Sequence, residues 1–83
     1  MTPDITLYGT PWCGDCKRSR RLMDDRKVAY QYIDIEKDEA AAAEVVRLNN
    51  GNQSVPTIVF PDGAVLVEPS NATLTAKLVE LGR

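Results

Sequence analysis

Histidine is missing from this 83-residue chain altogether. Without it there is no Ser–His or Cys–His nucleophile pair, no imidazole metal ligand and no side chain that titrates near neutrality unperturbed. Cysteine is scarce: Cys13 and Cys16 are the only two. A disulfide-scaffolded secreted domain would carry more of them, more widely spread. No apolar run approaches the roughly 20 residues of a membrane span. Met1-Thr2-Pro3-Asp4 lacks the basic and apolar regions of a secretory leader. Positive charge is not in excess either. Ten Lys+Arg against twelve Asp+Glu leave a net charge of -2, so no global field exists to hold a nucleic-acid backbone. With 43% hydrophobic and 27% charged residues the composition excludes disorder. What remains is one domain over residues 1–83, expected to be a cytoplasmic monomer with reduced thiols.

Periodicity then gives the elements. Ile5-Thr6-Leu7-Tyr8 alternates apolar and polar and stops at Gly9, a short strand. Gly14 to about Lys27 predicts a helix whose inward stripe is Cys16, Ser19, Leu22, Met23 and Arg26. Val28 to Ile35 predicts a strand with Tyr30 and Tyr32 on one face and Ile33 and Ile35 on the other. Asp38 is a plausible N-cap for a helix to about Asn49, burying Ala41, Ala42, Val45 and Leu48 and stopped by Gly51. Thr57 to Phe60 and Ala64 to Val67 predict a hairpin around Pro61-Asp62-Gly63. A last helix follows Pro69-Ser70-Asn71, carries Leu74, Leu78 and Leu81 on one face and closes at Gly82. The order is β-α-β-α-β-β-α. A right-handed crossover makes the first two strands parallel, so the class is α/β: a mixed four-stranded sheet with helices on both faces.

The chemistry concentrates in Trp12-Cys13-Gly14-Asp15-Cys16, a Cys-x-x-Cys that follows a strand and a turn and opens a helix. Unpaired N–H groups and the macrodipole at a helix start favour a negative charge, so a thiolate at Cys13 is expected to be stabilised. Cys16, inside the first turn, is the expected resolving thiol. Gly14 leaves the turn flexible. Asp15 disfavours a neighbouring thiolate, while Lys17, Arg18, Arg20 and Arg21 oppose it. That basic run is either a solvated helix face or a steering field for an anionic substrate. The pair could also be half a zinc site, but with no histidine and no other cysteine the ligands are lacking and no metal is expected. Trp12 is either packing or a rim contact. Val55-Pro56 opens a strand; in trans it simply starts it, and in cis it turns the Val55 backbone outward beside Cys13 to pair with a substrate main chain.

At these residues the chain resembles the glutaredoxins. The resemblance rests on Tyr8-Gly9-Thr10-Pro11-Trp12-Cys13-Gly14-Asp15-Cys16, Tyr32-Ile33-Asp34-Ile35, Ser54-Val55-Pro56-Thr57-Ile58 and Asp62-Gly63. It implies a thioredoxin fold, a nucleophilic Cys13, a resolving Cys16 and a cis Pro56. It also implies a thiol-disulfide oxidoreductase that reduces mixed disulfides between proteins and a low-molecular-weight thiol, with that thiol as co-substrate and no bound cofactor. Within the family the chain is most similar to mycoredoxins, through Trp-Cys-Gly-x-Cys, the Ala-rich second helix, Asn50-Gly51-Asn52 and the run from Phe60 to Pro69-Ser70. That implies mycothiol as the small thiol, with Cys13 acting alone and mycothiol stripping it. Ordinary glutaredoxins often carry a Gly-Gly turn and an acidic pair where this chain has Glu68-Pro69-Ser70-Asn71-Ala72, which disfavours glutathione. Thr10, Trp12, Gly14, Asp15, Val55, Pro56, Ser70 and Asn71 are the expected substrate contacts; for Ser70 and Asn71 plain helix capping competes. Two alternatives stay open. One is a dithiol donor recycled by a thioredoxin-reductase-type flavoenzyme. The other is an iron–sulfur module in which Cys13 of two chains and two small thiols hold a cluster.

Overall fold

The alternation in Ile5-Thr6-Leu7-Tyr8 becomes the centre of a sheet. In the computed structural model, which describes residues 3–83, the order is β1 (Thr6–Gly9), α1 (Gly14–Asp25), β2 (Gln31–Asp34), α2 (Glu39–Leu48), β3 (Thr57–Val59), β4 (Val65–Val67) and α3 (Asn71–Glu80). Met1 and Thr2, where the reading of a missing leader began, lie outside the described residues. The strands lie in the order β2-β1-β3-β4. β1 runs parallel to β2, with Leu7 opposite Tyr32, and antiparallel to β3, with Leu7 opposite Ile58. β4 returns antiparallel on β3. This is the mixed four-stranded sheet the pattern predicts.

Because side chains alternate across a strand, β1 feeds two cores. Ile5 and Leu7 point to one face, where Ile58 and Phe60 meet Met23 of α1 and Leu74 and Leu78 of α3. Tyr8 belongs to the other face, where Ile35 meets Ala41 and Val45 of α2. Each large apolar side chain buried this way contributes about 1.5–3 kcal/mol.

The element ends depart from the pattern, and each departure has a local cause. α1 stops at Asp25 because Lys27 takes the left-handed conformation, φ 59. The Val28 N–H then donates to the Met23 carbonyl (2.9 Å) and the Lys27 N–H to that of Asp24 (3.0 Å). Those two bonds with Val28 against Met23 in the core form a Schellman closure. Val28 is therefore a helix stop and not the first residue of a strand. β2 begins at Gln31, whose N–H donates to the Ile5 carbonyl at 2.7 Å. Arg26, expected inward, is exposed and donates to the Arg83 carbonyl. The hairpin strands are shorter than expected, with Phe60 and Ala64 joined by a single backbone bond around the turn.

Candidate active site

The site is built from the end of β1. Gly9 closes that strand, and a Cβ there would lie 2.9 Å from Cys16 Sγ and 3.2 Å from Leu7 Cδ2. Glycine lets the first turn of α1 rest directly on the strand. The chain then turns through Thr10-Pro11-Trp12, and the Cys13 N–H donates to the Thr10 carbonyl at 3.3 Å.

Cys13 is the N-cap of α1, with extended φ -80 and ψ 114. Its Sγ accepts the Cys16 backbone N–H at 3.1 Å, and its carbonyl accepts that of Lys17. The N-cap place usually falls to Ser, Thr, Asp or Asn; here it is held by sulfur. The Cys13 thiol also faces the Val55 carbonyl at 3.8 Å. Cys13 keeps 7% of its surface and Cys16 only 1%. Burial pushes the Cys16 thiol up to about 12; its bond with Cys13 adds to the rise and the Thr10 backbone N–H opposes it. Cys16 therefore keeps its proton at neutral pH. Both cysteines are free thiols.

The Val55–Pro56 peptide is cis. The loop before it is tied down by Thr57, whose Oγ1 donates to the Ser54 carbonyl (2.8 Å) and accepts from Asn49 Nδ2 (2.9 Å). Beyond the bond, the Pro56 carbonyl accepts the Glu68 N–H at 2.9 Å, with Glu68 itself left-handed at φ 47. Among the described residues the Val55 N–H makes no hydrogen bond.

A cleft of about 240 Å³ is lined by Thr10, Trp12, Ile35, Glu36, Gln53 and Val55. Trp12 stands 69% exposed at its rim, and its indole N–H donates to Glu36 Oε1 at 2.7 Å. Thr10 is 4% exposed, and its buried hydroxyl has no partner among the described residues. The structure thus gathers Thr10, Trp12 and Val55 around one cleft, with the Val55 carbonyl against Cys13. Pro56 is buried behind them. Gly14 and Asp15 are exposed on the first turn of α1, with Asp15 3.4 Å from Arg18. Ser70 caps α3, its Oγ accepting the Thr73 N–H at 3.1 Å. Asn71 lines a separate groove of about 420 Å³ along α1 and α3, with Arg18, Arg21 and Thr75.

The basic run divides. Arg20 lies 3.9 Å over the Tyr32 ring and donates to the Tyr30 hydroxyl, while Arg18 donates to the Pro69 carbonyl. Of the four, Arg20 is half-buried, and Lys17, Arg18 and Arg21 are exposed. The sequence pattern gives Gly9 and Ile35 places in strands but no role in the site, and gives none to Glu36 or Gln53. A glycine ending a strand marks a close backbone approach, and that signal was available. Glu36 lies just past the end of β2, and ligands in α/β sheets bind outside the carboxyl ends of strands. Among the described residues no three His, Cys, Asp or Glu stand together as a metal site. No helix among them is long and apolar enough to cross a membrane.

A cysteine capping a helix, with a second cysteine one turn in and the carbonyl of the residue before a cis proline beside it, defines a thiol-disulfide exchange site on a thioredoxin-like fold. The profile of the Glutaredoxin family matches residues 5–65. A protein of Mycobacterium tuberculosis described as a glutaredoxin is 42% identical over 81 residues, spanning 98% of this chain and 96% of its own. Mycoredoxin 1 of Corynebacterium glutamicum is 35% identical over 78 residues, spanning 94% and 96%. The crystal structure of a thioredoxin-like protein superposes with a TM-score of 0.81 at 26% identity, covering 92% of this chain and 95% of the other. The chain belongs to the glutaredoxin family. It is a thiol-disulfide oxidoreductase of the glutaredoxin and mycoredoxin type, a class that works with a low-molecular-weight thiol on protein disulfides.

Proposed function

We propose that this protein removes a small thiol, mycothiol in preference to glutathione, from its mixed disulfides with proteins. Cys13 is the nucleophile and Cys16 the resolving thiol. The observation that carries the reading is the Cys13 sulfur at the head of α1, accepting a backbone N–H at 3.1 Å beside an open cleft. As a thiolate, that sulfur attacks the small thiol's sulfur in the mixed disulfide. A new S–S bond forms on Cys13, the old one breaks, and the client protein leaves as its thiolate and takes up a proton. A second small thiol then attacks the sulfur held on Cys13, leaving as a symmetric disulfide and restoring the Cys13 thiolate. The other exit is intramolecular: Cys16 gives up its proton, attacks Cys13, expels the small thiol and leaves a Cys13–Cys16 disulfide for an external reductant.

The bound small thiol lies in the cleft, its amide carbonyl offered to the free Val55 N–H, with Trp12 along one side and Thr10 beneath. Gly14 and Asp15 border it on the helix side and Pro56 backs the Val55 platform, while Ser70, which caps α3, and Asn71, in the separate α1–α3 groove, are not among the residues lining the cleft. Mycothiol is supported by the 35% identity to a mycoredoxin over most of both chains. In this reading the protein works as a cytoplasmic monomer.

The test is reduction of mycothiol and glutathione mixed disulfides by wild type, Cys13→Ala and Cys16→Ser. Cys13→Ala is expected to be inactive and Cys16→Ser active with mycothiol. Full activity in Cys13→Ala overturns the mechanism. An inactive Cys16→Ser, with wild type recycled by a flavin-dependent disulfide reductase in the absence of any small thiol, would favour the dithiol-donor route instead.

A further inference from the structure

The cleft beside Cys13 carries one charge. Of its six lining residues Thr10, Trp12, Ile35, Gln53 and Val55 are neutral, and Glu36 is the anion. The cations of α1 do not share it: Arg18 and Arg21 line the groove with Asn71, and Lys17, Arg20 and Arg21 line another depression with Asp24 and Asp25. Glu36 is held by its backbone. Its N–H donates to Asp34 Oδ1 at 2.9 Å, and the Ile35 N–H before it donates to the Gly9 carbonyl at 3.1 Å. Its carboxylate accepts the Trp12 indole N–H at 2.7 Å through Oε1, and Oε2 has no partner among the described residues. Thr10 also lines the cleft, with its hydroxyl buried and unpartnered among the described residues.

These groups treat ligands unequally. A hydroxyl can donate to the free carboxylate oxygen of Glu36 in a charge-assisted bond. A carboxylate is an acceptor only and meets Glu36 as a like charge.

We propose that Glu36 is a specificity-determining residue: it fixes the Trp12 indole at the rim and sets the sign of the cleft, so that an uncharged, hydroxyl-rich thiol is taken in preference to one bearing carboxylates. The inference rests on the small-thiol reading above and names which residue makes the choice. Discrimination lies in this one side chain and not in the basic face of α1.

The experiment measures kcat/KM for a mycothiol and a glutathione mixed disulfide of the same client, using Glu36→Gln and Glu36→Ala. Glu36→Gln keeps an acceptor for Trp12 and removes the charge. It should raise the glutathione-to-mycothiol ratio about fivefold, mainly through KM, the size expected of one partly exposed charge. The wild-type ratio should rise with ionic strength, as screening weakens the repulsion, while that of Glu36→Gln should not move. Trp12 is the only tryptophan in the chain, so fluorescence anisotropy reports it alone: anisotropy should fall in Glu36→Ala and be retained in Glu36→Gln. A ratio unchanged in Glu36→Gln overturns the inference while leaving the parent reading intact. A wild type that turns over neither mixed disulfide overturns both.

Discussion

The starts of α1 and α3 are built alike and used differently. Cys13 Sγ accepts the N–H of Cys16, three residues on, at 3.1 Å; Ser70 Oγ accepts that of Thr73, also three residues on, at 3.1 Å. Asp38 does the same at α2 with Ala41 at 3.0 Å. Each satisfies an N–H that the helix leaves unpaired. At Ser70 the cap is a hydroxyl on an exposed helix end. At Cys13 the capping atom is a sulfur, set over a buried second thiol and against the Val55 carbonyl. The comparison separates two things usually seen together: a good cap needs only an acceptor, whereas a nucleophile needs that acceptor to be able to give up a proton and attack.

Replacing the two caps should therefore split stability from activity. Cys13→Ser has the largest expected effect. Serine caps as well as sulfur or better, so the melting temperature should hold within a few degrees, while turnover of mixed disulfides disappears. A Cys13→Ser protein that unfolds, or that stays active, breaks the comparison. Next in size is Gly9→Ala. Its Cβ would sit 2.9 Å from Cys16 Sγ, and neither the strand nor a one-atom thiol arm has room to yield. Denaturant titration should show a loss of about 1–3 kcal/mol, with activity reduced because the first turn of α1 is pushed off its seat.

The third prediction concerns pH. The Cys16 thiol is raised in the fold from 9.0 to about 12. Between those values the folded protein holds a proton that the unfolded chain has released. Stability from this group is complete below pH 9 and declines as the pH climbs toward 12. In Cys16→Ser that alkaline decline should flatten; a wild type and variant with parallel curves would contradict the assigned burial. In the same spirit, alkylation of the native protein at pH 7 should label Cys13 and leave Cys16 until denaturant is added, read by mass spectrometry. The smallest effect is Ser70→Ala. It should lose about 1 kcal/mol, as an ordinary cap does, and change kcat/KM far less than Cys13→Ser.

Much of this was legible beforehand. All seven elements and their order follow from period-2 and period-3.6 patterns, and Asp38 and Ser70 fall where caps belong. Cys13 and Cys16 stand out by position, between a strand and a helix. The misses are of two physical kinds. Val28 is apolar and β-branched, so locally it reads as a strand, but its partner is Met23 one helical turn back. A lysine in the left-handed region at Lys27 gives no sequence signal where a glycine would. Arg26 fits the inward stripe by spacing and yet turns outward, because the helix ends beneath it. The second kind is registration between strands. That Gly9 lies opposite Asp34, bringing Glu36 to Trp12, depends on how β1 and β2 slide against each other. No residue in either strand announces it.

The left-handed closure at Lys27 has its own consequence. An L-residue with a long side chain occupies a backbone region where glycine would sit at ease, φ 59. The joint therefore carries a steric strain that glycine would not. A Lys27→Gly exchange would relieve the crowding at the hinge, at the expense of a looser denatured chain, so thermal tolerance of this scaffold could be adjusted far from the sulfur chemistry.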